Sequence, residues 1–208
     1  MTPEKILQQI HDEVQTCSKC SLHFSRKHGV SGAGPADAEI MFIGEGPGFH
    51  ENETGIPFVG GSGRFLDELL ESIGMKREDV FIGNVVKCRP PGNRDPQLDE
   101  LSACDPYLEG QISAINPKVI VTLGRFSMAK FMPNAKISEI HGQSMNIRGR
   151  LIVAMYHPAA ALHQRSLRPI LEADFARLPA LIAQANEIPE FIDDNIIEET
   201  PPEQLSMF

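Results

Sequence analysis

Long apolar segments are the first feature that this 208-residue sequence lacks. No apolar run approaches the about 20 residues needed to cross a membrane as a helix. The first residues, Met1-Thr2-Pro3-Glu4-Lys5, also lack the basic-then-apolar layout of a secretory signal. We therefore expect a cytoplasmic protein without a membrane span. The content of 41% hydrophobic and 23% charged residues is ordinary for a globular domain, and the length suggests one domain with a tail.

Basic residues are absent from the end of the chain. Between Glu187 and Phe208 there are seven acidic residues and no Lys or Arg, and apolar periodicity fails past Asn186. We therefore predict a domain at residues 1–186 and an acidic, flexible tail at residues 187–208. Without the seven acidic residues of the tail, 21 of the 28 acidic residues remain against 19 basic residues. The formal net charge of the body is therefore near −2, whereas that of the whole chain is −9. A nearly neutral body can carry a local basic face, and a nucleic-acid partner stays open.

Cysteine is scarce, with four residues in the chain: Cys17, Cys20, Cys88 and Cys104. Structural disulfides are rare in the cytoplasm, so clustered thiols there more often hold a metal or perform redox chemistry. Cys17 and Cys20 form a Cys-x-x-Cys pair that can reach one metal. Four thiolates suit a tetrahedral zinc ion or an iron–sulfur cubane. The spacing of the last two is not a zinc-finger pattern and favours iron–sulfur, with unligated buried cysteines as the alternative.

Apolar runs bounded by glycine and proline alternate with segments of helical periodicity. Strands are predicted at residues 40–43, 80–86, 119–123 and 151–156. Helices are predicted at residues 3–14, 64–73, 97–115, 126–131 and 167–185, with Thr2 as a cap for the first and a break at Pro106 in the third. This alternation predicts an α/β fold, namely a three-layer α/β/α sandwich with a central four-stranded parallel sheet.

Polar residues stand at the ends of three predicted strands. Glu45 follows the first strand in a turn with Gly46, whose missing Cβ lets a flat ligand approach the backbone. Asn84 stands inside the otherwise apolar end of the second strand, and His157 follows the fourth. Ligands bind at the carboxyl ends of parallel strands, so we expect one shared site. The amide of Asn84 matches a pyrimidine edge with one donor and one acceptor, as in uracil, and Phe58 offers a stacking floor. Taken singly, Asn84 is equally a turn cap and His157 a core histidine.

Four motifs resemble those of the family 4 uracil-DNA glycosylases, in the same order and over about residues 5–185. They are Gly44-Glu45-Gly46-Pro47-Gly48, Gly55-x-Pro57-Phe58-Val59-Gly60, Asn84-Val85-Val86-Lys87-Cys88-Arg89-Pro90-Pro91 and His157-Pro158-Ala159-Ala160. That family carries a [4Fe–4S] cluster on four cysteines laid out like Cys17, Cys20, Cys88 and Cys104. The resemblance implies that these four bind the cluster here. We expect a structural cluster that pins the amino-terminal segment to a DNA-facing loop near Lys87 and Arg89.

The resemblance implies a DNA-repair enzyme that flips deoxyuridine out of DNA and hydrolyses its N-glycosidic bond, leaving free uracil and an abasic site. Phe58 would stack on uracil, Asn84 would read its edge, and the backbone around Glu45 and Gly46 would line the pocket. His157 would donate to uracil O2 and stabilise the charge that grows on the leaving group.

Other roles in the reaction are less directly implied. Glu45 or Glu51 would orient or deprotonate the attacking water, and Asn52 stands where many members have an acid, so it is given no role. We expect a monofunctional hydrolase without a Schiff-base lyase step. Leu162 is the predicted wedge that fills the gap left by the flipped base, with a core leucine as the alternative.

Two alternatives to turnover follow from the same residues. A related group captures uracil-DNA covalently through a histidine in an extra basic loop after the second strand. Residues 89–94 hold neither a histidine nor an insertion, which favours turnover. The second alternative is an iron–sulfur DNA-binding protein that recognises uracil without cleaving it.

The terminal segment Gln204-Leu205-Ser206-Met207-Phe208 resembles the pentapeptide by which bacterial repair and replication proteins bind the sliding clamp. Its apolar residues would fill a pocket on the clamp at the end of an acidic tether. The predicted partners are therefore uracil-containing DNA and, through this segment, the clamp. We expect a monomer that acts at the nucleoid.

Overall fold

The computed structural model describes residues 1–185, so the predicted tail and its terminal pentapeptide lie outside the described residues. The strands are β1 (Ile40–Gly44), β2 (Phe81–Asn84), β3 (Val119–Leu123), β4 (Ser144–Ile147) and β5 (Arg150–Met155). They form one five-stranded sheet in the order β2-β1-β3-β5-β4. β1 pairs in parallel with β2 and β3, and β3 pairs in parallel with β5. The predicted α/β class and its four parallel strands are confirmed.

The fifth strand, β4, corrects the predicted strand count. It pairs antiparallel with β5 through a tight turn in which Arg148 has φ 50° and Gly149 has φ 73°, as hairpin turns require. The strand lies at the sheet edge, and Met145 within it is 53% exposed. Because this strand has no buried apolar run, the pattern that identified the four parallel strands is missing from it.

Eight α-helices surround the sheet within the described residues. They are α1 (Pro3–Thr16), α2 (Phe49–Thr54), α3 (Gly61–Ser72), α4 (Leu98–Ile115), α5 (Arg125–Phe131), α6 (Ile137–Ile140), α7 (Pro158–His163) and α8 (Arg168–Ala185). None of the helices in this part of the chain is both long and apolar enough to cross a membrane. The three short helices α2, α6 and α7 were not predicted, because four to six residues carry too little periodicity to be recognised.

The helices cover both faces of the sheet. On one face α3 and α8 pack Leu66, Leu70 and Phe175 against alternate strand residues such as Phe42 and Val121. On the other face α4 and α5 pack Leu108, Ile112 and Met128 against the intervening strand residues, and α1 lies outside α4. Both strand faces are therefore buried, which explains the continuous apolar runs of β1 and β3. The three-layer arrangement holds the carboxyl ends of β1, β2 and β5 at one edge.

One local prediction was wrong, and the cap at Thr2 is confirmed in its position but not in its side chain. Helix α4 continues through Pro106 without a break, because Cys104, Tyr107 and Leu108 on both sides of it are buried and their packing offsets the backbone hydrogen bond that proline removes. Thr2 makes no side-chain cap to α1; only its carbonyl oxygen accepts, from the N–H of Ile6 at 3.1 Å.

Candidate active site

An open cleft of about 360 Å³ lies where the carboxyl ends of the strands meet. Its lining includes the predicted residues Glu45, Gly46, Glu51, Phe58 and His157. These residues come from the turn after β1, from α2, from the loop before α3 and from the start of α7. The structure therefore brings together side chains that are more than a hundred positions apart in the sequence.

Asn84 is not among the residues that line this cleft; it ends β2 opposite Gly44 in the sheet register, close to the lining residue Phe58. The Asn84 side chain is 1% exposed, and within residues 1–185 its Oδ1 is buried without a hydrogen-bond partner. A β-carbon on Gly44 would lie 2.5 Å from that Oδ1 and 2.6 Å from Cζ of Phe58, closer than real contacts allow. Glycine is therefore required at position 44 so that the amide and the aromatic ring can meet. A buried acceptor without a partner costs free energy unless a ligand satisfies it.

The loop that carries Phe58 is held in a backbone conformation that residues other than glycine rarely adopt. Phe58 has φ 52°, and a β-carbon on Gly63 would lie 1.8 Å from its carbonyl oxygen. Arg77 donates to that same oxygen at 2.8 Å, donates to the carbonyl of Pro57 and pairs with Asp67 at 3.0 Å. The ring of Phe58 lies 5.4 Å from the His157 ring at 26°. The strain is consistent with a side chain fixed for recognition.

His157 precedes α7, with its Nδ1 accepting from the backbone N–H of Ala159 at 3.1 Å. That contact places the proton of the neutral ring on Nε2. Burial lowers the pKa of His157 to about 4, although the negative charge of Glu51 opposes the shift. The ring is therefore neutral at physiological pH, with Nε2–H available as a hydrogen-bond donor.

The two candidate carboxylates occupy different environments. Oε1 of Glu51 accepts from the N–H groups of Val59 and Gly60, both at 2.9 Å, and Oε2 accepts from the N–H of Gly48 at 3.1 Å. Both of its oxygens are therefore engaged in joining two loops. Glu45 is half-buried, and burial followed by the charge of Asp95 raises its pKa.

The four cysteines converge on a second, small cavity. Cys17, Cys20, Cys88 and Cys104 all line it, and Cys88 and Cys104 are buried. Three N–H groups point at sulfur: Lys19 N at 3.5 Å from Cys17, Lys87 N at 3.4 Å from Cys104 and Arg26 Nη1 at 3.3 Å from Cys88. Within residues 1–185, no group of three or more Cys, His, Asp or Glu side chains lies in an arrangement that would hold a metal ion without adjustment. The chemistry fits a cluster, since four thiols with N–H donors match how iron–sulfur groups are held.

Several other predicted residues are placed as follows. Leu162 is 50% exposed on α7, so the core-leucine alternative is wrong. Arg26 donates to Sγ of Cys88 and to the carbonyl of Gln15. Asn52 is buried and its Oδ1 accepts from the N–H of Lys27 at 2.9 Å.

Lys87 corrects the expected DNA-facing loop near it and bears on the expected absence of a lyase step. It lies within the Asn84 motif, yet its side chain is 1% exposed, so it is no part of a DNA-facing surface. Its Nζ donates to the carbonyl of Asn84 at 2.9 Å and to Oε1 of Gln111 at 2.6 Å. The motif does contain a lysine, but this lysine is not among the residues that line the cleft.

Sequence reasoning missed several residues of the cleft, among them Ser62, Asn93, Arg94 and His163. Arg94 is fixed by a two-point ion pair with the buried Glu100, at 2.6 and 2.8 Å. This pairing, together with hydrogen bonds from Gln97 N and Ser21 Oγ, lowers the pKa of Glu100 to about 2. Glu100 sits in the first turn of α4, where its Oε2 accepts from the N–H of Gln97 at 2.8 Å, and its pairing with Arg94 depends on the fold.

Fold and site together define an α/β/α domain with an open cleft at the carboxyl edge of its sheet. The family model described as the uracil DNA glycosylase superfamily matches residues 31–180. A type-4 uracil-DNA glycosylase of Saccharolobus solfataricus is 48% identical, covering 83% of this chain and 84% of the relative. A type-4 uracil-DNA glycosylase of Sulfurisphaera tokodaii is 46% identical, covering 84% of this chain and 84% of the relative. One of Thermotoga maritima is 41% identical, covering 87% of this chain and 97% of the relative. The chain belongs to the uracil-DNA glycosylase superfamily and, within it, to the type-4 group.

Proposed function

We propose that this protein is a monofunctional uracil-DNA glycosylase that hydrolyses the N-glycosidic bond of deoxyuridine and leaves an abasic site in base-excision repair. The observation that carries the proposal is the buried, unpartnered Oδ1 of Asn84 beside the ring of Phe58. A flipped uracil supplies an N3–H donor for that oxygen and a flat face for the ring. The bound base would then give Oδ1 of Asn84 the hydrogen bond that it lacks within residues 1–185 and would pack against the ring of Phe58.

His157 would stabilise the departing uracil. Its neutral ring and its Nε2 proton, held in place by the contact between Ala159 and Nδ1, provide a donor for uracil O2. A donor aimed at developing charge in a half-buried site acts mainly on the transition state. Phe58, packed beside the same ring, would keep uracil and imidazole in register.

Glu45 is the better candidate for orienting or deprotonating the water. Both oxygens of Glu51 are engaged by backbone N–H groups, so Glu51 is better suited to holding the loops of Gly48 and Gly60 in place. Glu45 lines the cleft and carries a raised pKa, as expected of a general base in a partly dry site. No amine nucleophile is proposed, since the lysine of the motifs is held by Asn84 and Gln111.

A [4Fe–4S] cluster on Cys17, Cys20, Cys88 and Cys104 is the proposed cofactor. It would supply a covalent link between chain segments rather than chemistry at the base. The four residues come from the segment after α1, the segment after β2 and the middle of α4, so one group would join three separate parts of the chain. Val86, which lies between Asn84 and Cys88, packs with Cys88 and Cys104, so this link would support the end of β2.

DNA is the proposed macromolecular partner, with Leu162 as the wedge that enters the stack. Its exposure on α7, the helix whose residues Ala159, Ala160 and His163 line the cleft, supports that role. Arg94, fixed by Glu100 at the cleft, is suited to a phosphate. The sliding clamp, through Gln204–Phe208, is a further proposed partner, and the protein is proposed to act as a monomer at the nucleoid in the cytoplasm.

Uracil release from a single U·G-containing duplex in excess over protein purified without oxygen tests this function. We expect multiple turnovers and an alkali-labile abasic product. A protein that binds the duplex but releases no uracil, or that forms a stable adduct, would support the capture alternative instead. His157→Ala sharpens the distinction, since a glycosylase loses far more rate than affinity.

A further inference from the structure

Lys87 is a buried charged side chain to which the proposed chemistry gives no task. It follows the end of β2, is 1% exposed, and bridges the carbonyl of Asn84 and Oε1 of Gln111 on α4. Gln111 in turn donates to the carbonyl of Ser31 at 2.6 Å, and Ser31 Oγ is 2.9 Å from Nδ1 of His11. A continuous set of hydrogen bonds therefore runs from the amino-terminal helix to the strand end that carries Asn84.

This arrangement is costly for the fold. Within residues 1–185 the hydrogen bonds of the Lys87 ammonium go to neutral oxygens rather than to a carboxylate. An apolar side chain of similar shape would avoid the desolvation penalty. Stability alone therefore gives a poor account of a lysine at this position.

The contact with Asn84 gives a better account. Asn84 is the last residue of β2, and its Oδ1 has no partner in the described chain, so that oxygen does not anchor its side chain. The direction of the side chain then depends on its backbone, whose carbonyl is held by Lys87. We propose that Lys87 is a positioning residue that fixes the end of β2 and so aims the Asn84 amide at the edge of the flipped base.

The proposal rests on the proposed function, and its test separates the two. Full-length, iron-loaded protein is compared with Lys87→Met, Asn84→Ala and the double variant. Each is titrated with two duplexes that differ in one base, 2′-fluoro-deoxyuridine or 2′-fluoro-deoxycytidine, because the fluorine blocks cleavage and the readout does not need turnover. Single-turnover uracil excision from a U·G duplex is measured alongside.

Lys87→Met should reduce the preference for the uracil duplex and the excision rate by about tenfold or more, the loss typical of a charge-assisted hydrogen bond. In the Asn84→Ala protein the same change should have almost no further effect, because there is no amide left to aim. Equal losses in both backgrounds, or an unchanged uracil preference in Lys87→Met, would overturn the positioning role alone. If the unmodified protein shows no preference for uracil, the proposed function fails, and the positioning role fails with it.

Two further variants serve as a control and as an independent test of the Lys87 contact. Lys130→Met removes another lysine of low exposure, which pairs with Asp105 and Glu109, and should leave the uracil preference unchanged. Gln111→Met keeps Lys87 but removes its second acceptor, and should lower the preference in the same direction even if Lys87→Met does not fold. Iron content and thermal midpoint are recorded for each variant, because Lys87 N also donates to Cys104. Loss of preference that follows iron content, rather than the identity of residue 87 or 111, would also contradict the proposal.

Discussion

His157 has its proton placed by the backbone rather than by another side chain. The N–H of Ala159 occupies Nδ1, so the neutral ring presents Nε2–H, and burial keeps it neutral. Replacing His157 by Ala should reduce kcat by about 10²–10³-fold, as removal of an oxyanion donor does elsewhere. Affinity for the uncleaved duplex should change far less. Single-turnover rates and duplex titrations measure the two effects; equal losses in both would contradict a role specific to the transition state.

The pH dependence of excision should come from Glu45. Its raised pKa means that the carboxylate form is lost at a higher pH than for an exposed Glu, so the rate should fall as pH drops through that raised value. His157, with a pKa of about 4, should contribute nothing to the profile near its ordinary value of 6.5. A rate–pH profile of the wild type and Glu45→Gln checks this. We expect the variant to be slow and to lose the acidic limb, whereas a limb that persists near 6.5 would indicate a titrating histidine.

At the scale of elements, the buried parallel strands were predictable and the polar contacts between loops were not. β1 and β3 can be recognised in the sequence as apolar runs, because helices cover both of their faces. Edge strand β4 and the short helices α2 and α7 carry no such pattern. The positions of Glu45, Asn84 and His157 at strand ends were enough to predict that they lie close together. The pairing of Glu51 with three backbone N–H groups was not predictable, because it depends on how two loops meet. Tertiary contacts of this kind have no signature in local sequence.

Helix α2 offers a direct test of that loop contact. Glu51→Gln should lower the free energy of unfolding by about 1–3 kcal/mol, because an amide cannot accept from the N–H of Gly48 while its oxygen serves Val59 and Gly60. Glu53→Gln, on the same helix, breaks an exposed pair with Lys27 and should cost less than about 1 kcal/mol. Urea denaturation measures both. A large loss of activity in Glu51→Gln at unchanged stability would instead favour Glu51 as the base.

At the scale of the whole molecule, the four cysteines that line the second cavity come from segments that the sheet alone does not connect. Cys104→Ser should lower iron content and destabilise the protein by an amount comparable with losing a disulfide, about 2–4 kcal/mol, because it opens the loops closed between α1, β2 and α4. Ala103→Ser, at a neighbouring residue of the same cavity, adds a hydroxyl without removing a thiol and serves as the control. Visible absorbance, iron analysis and thermal midpoint report the outcome. Full stability in an iron-free Cys104→Ser protein would argue against a structural cluster.

The predicted acidic segment, residues 187–208, carries the proposed clamp contact. Its seven acidic residues and lack of Lys or Arg make it a poor ligand for DNA, whose backbone would repel it, yet it ends in Leu205, Met207 and Phe208. In the proposed clamp contact, these apolar residues would fill a pocket on the clamp, and a second contact of this kind would raise the local concentration of the enzyme there. Deleting Gln204–Phe208 should abolish binding to the sliding clamp while excision from short oligonucleotides is unchanged. Thr200→Ala, which leaves the pentapeptide intact, is the control. Clamp binding that survives the deletion, measured by surface plasmon resonance with immobilised clamp, would show that the contact lies within the domain and not in the tail.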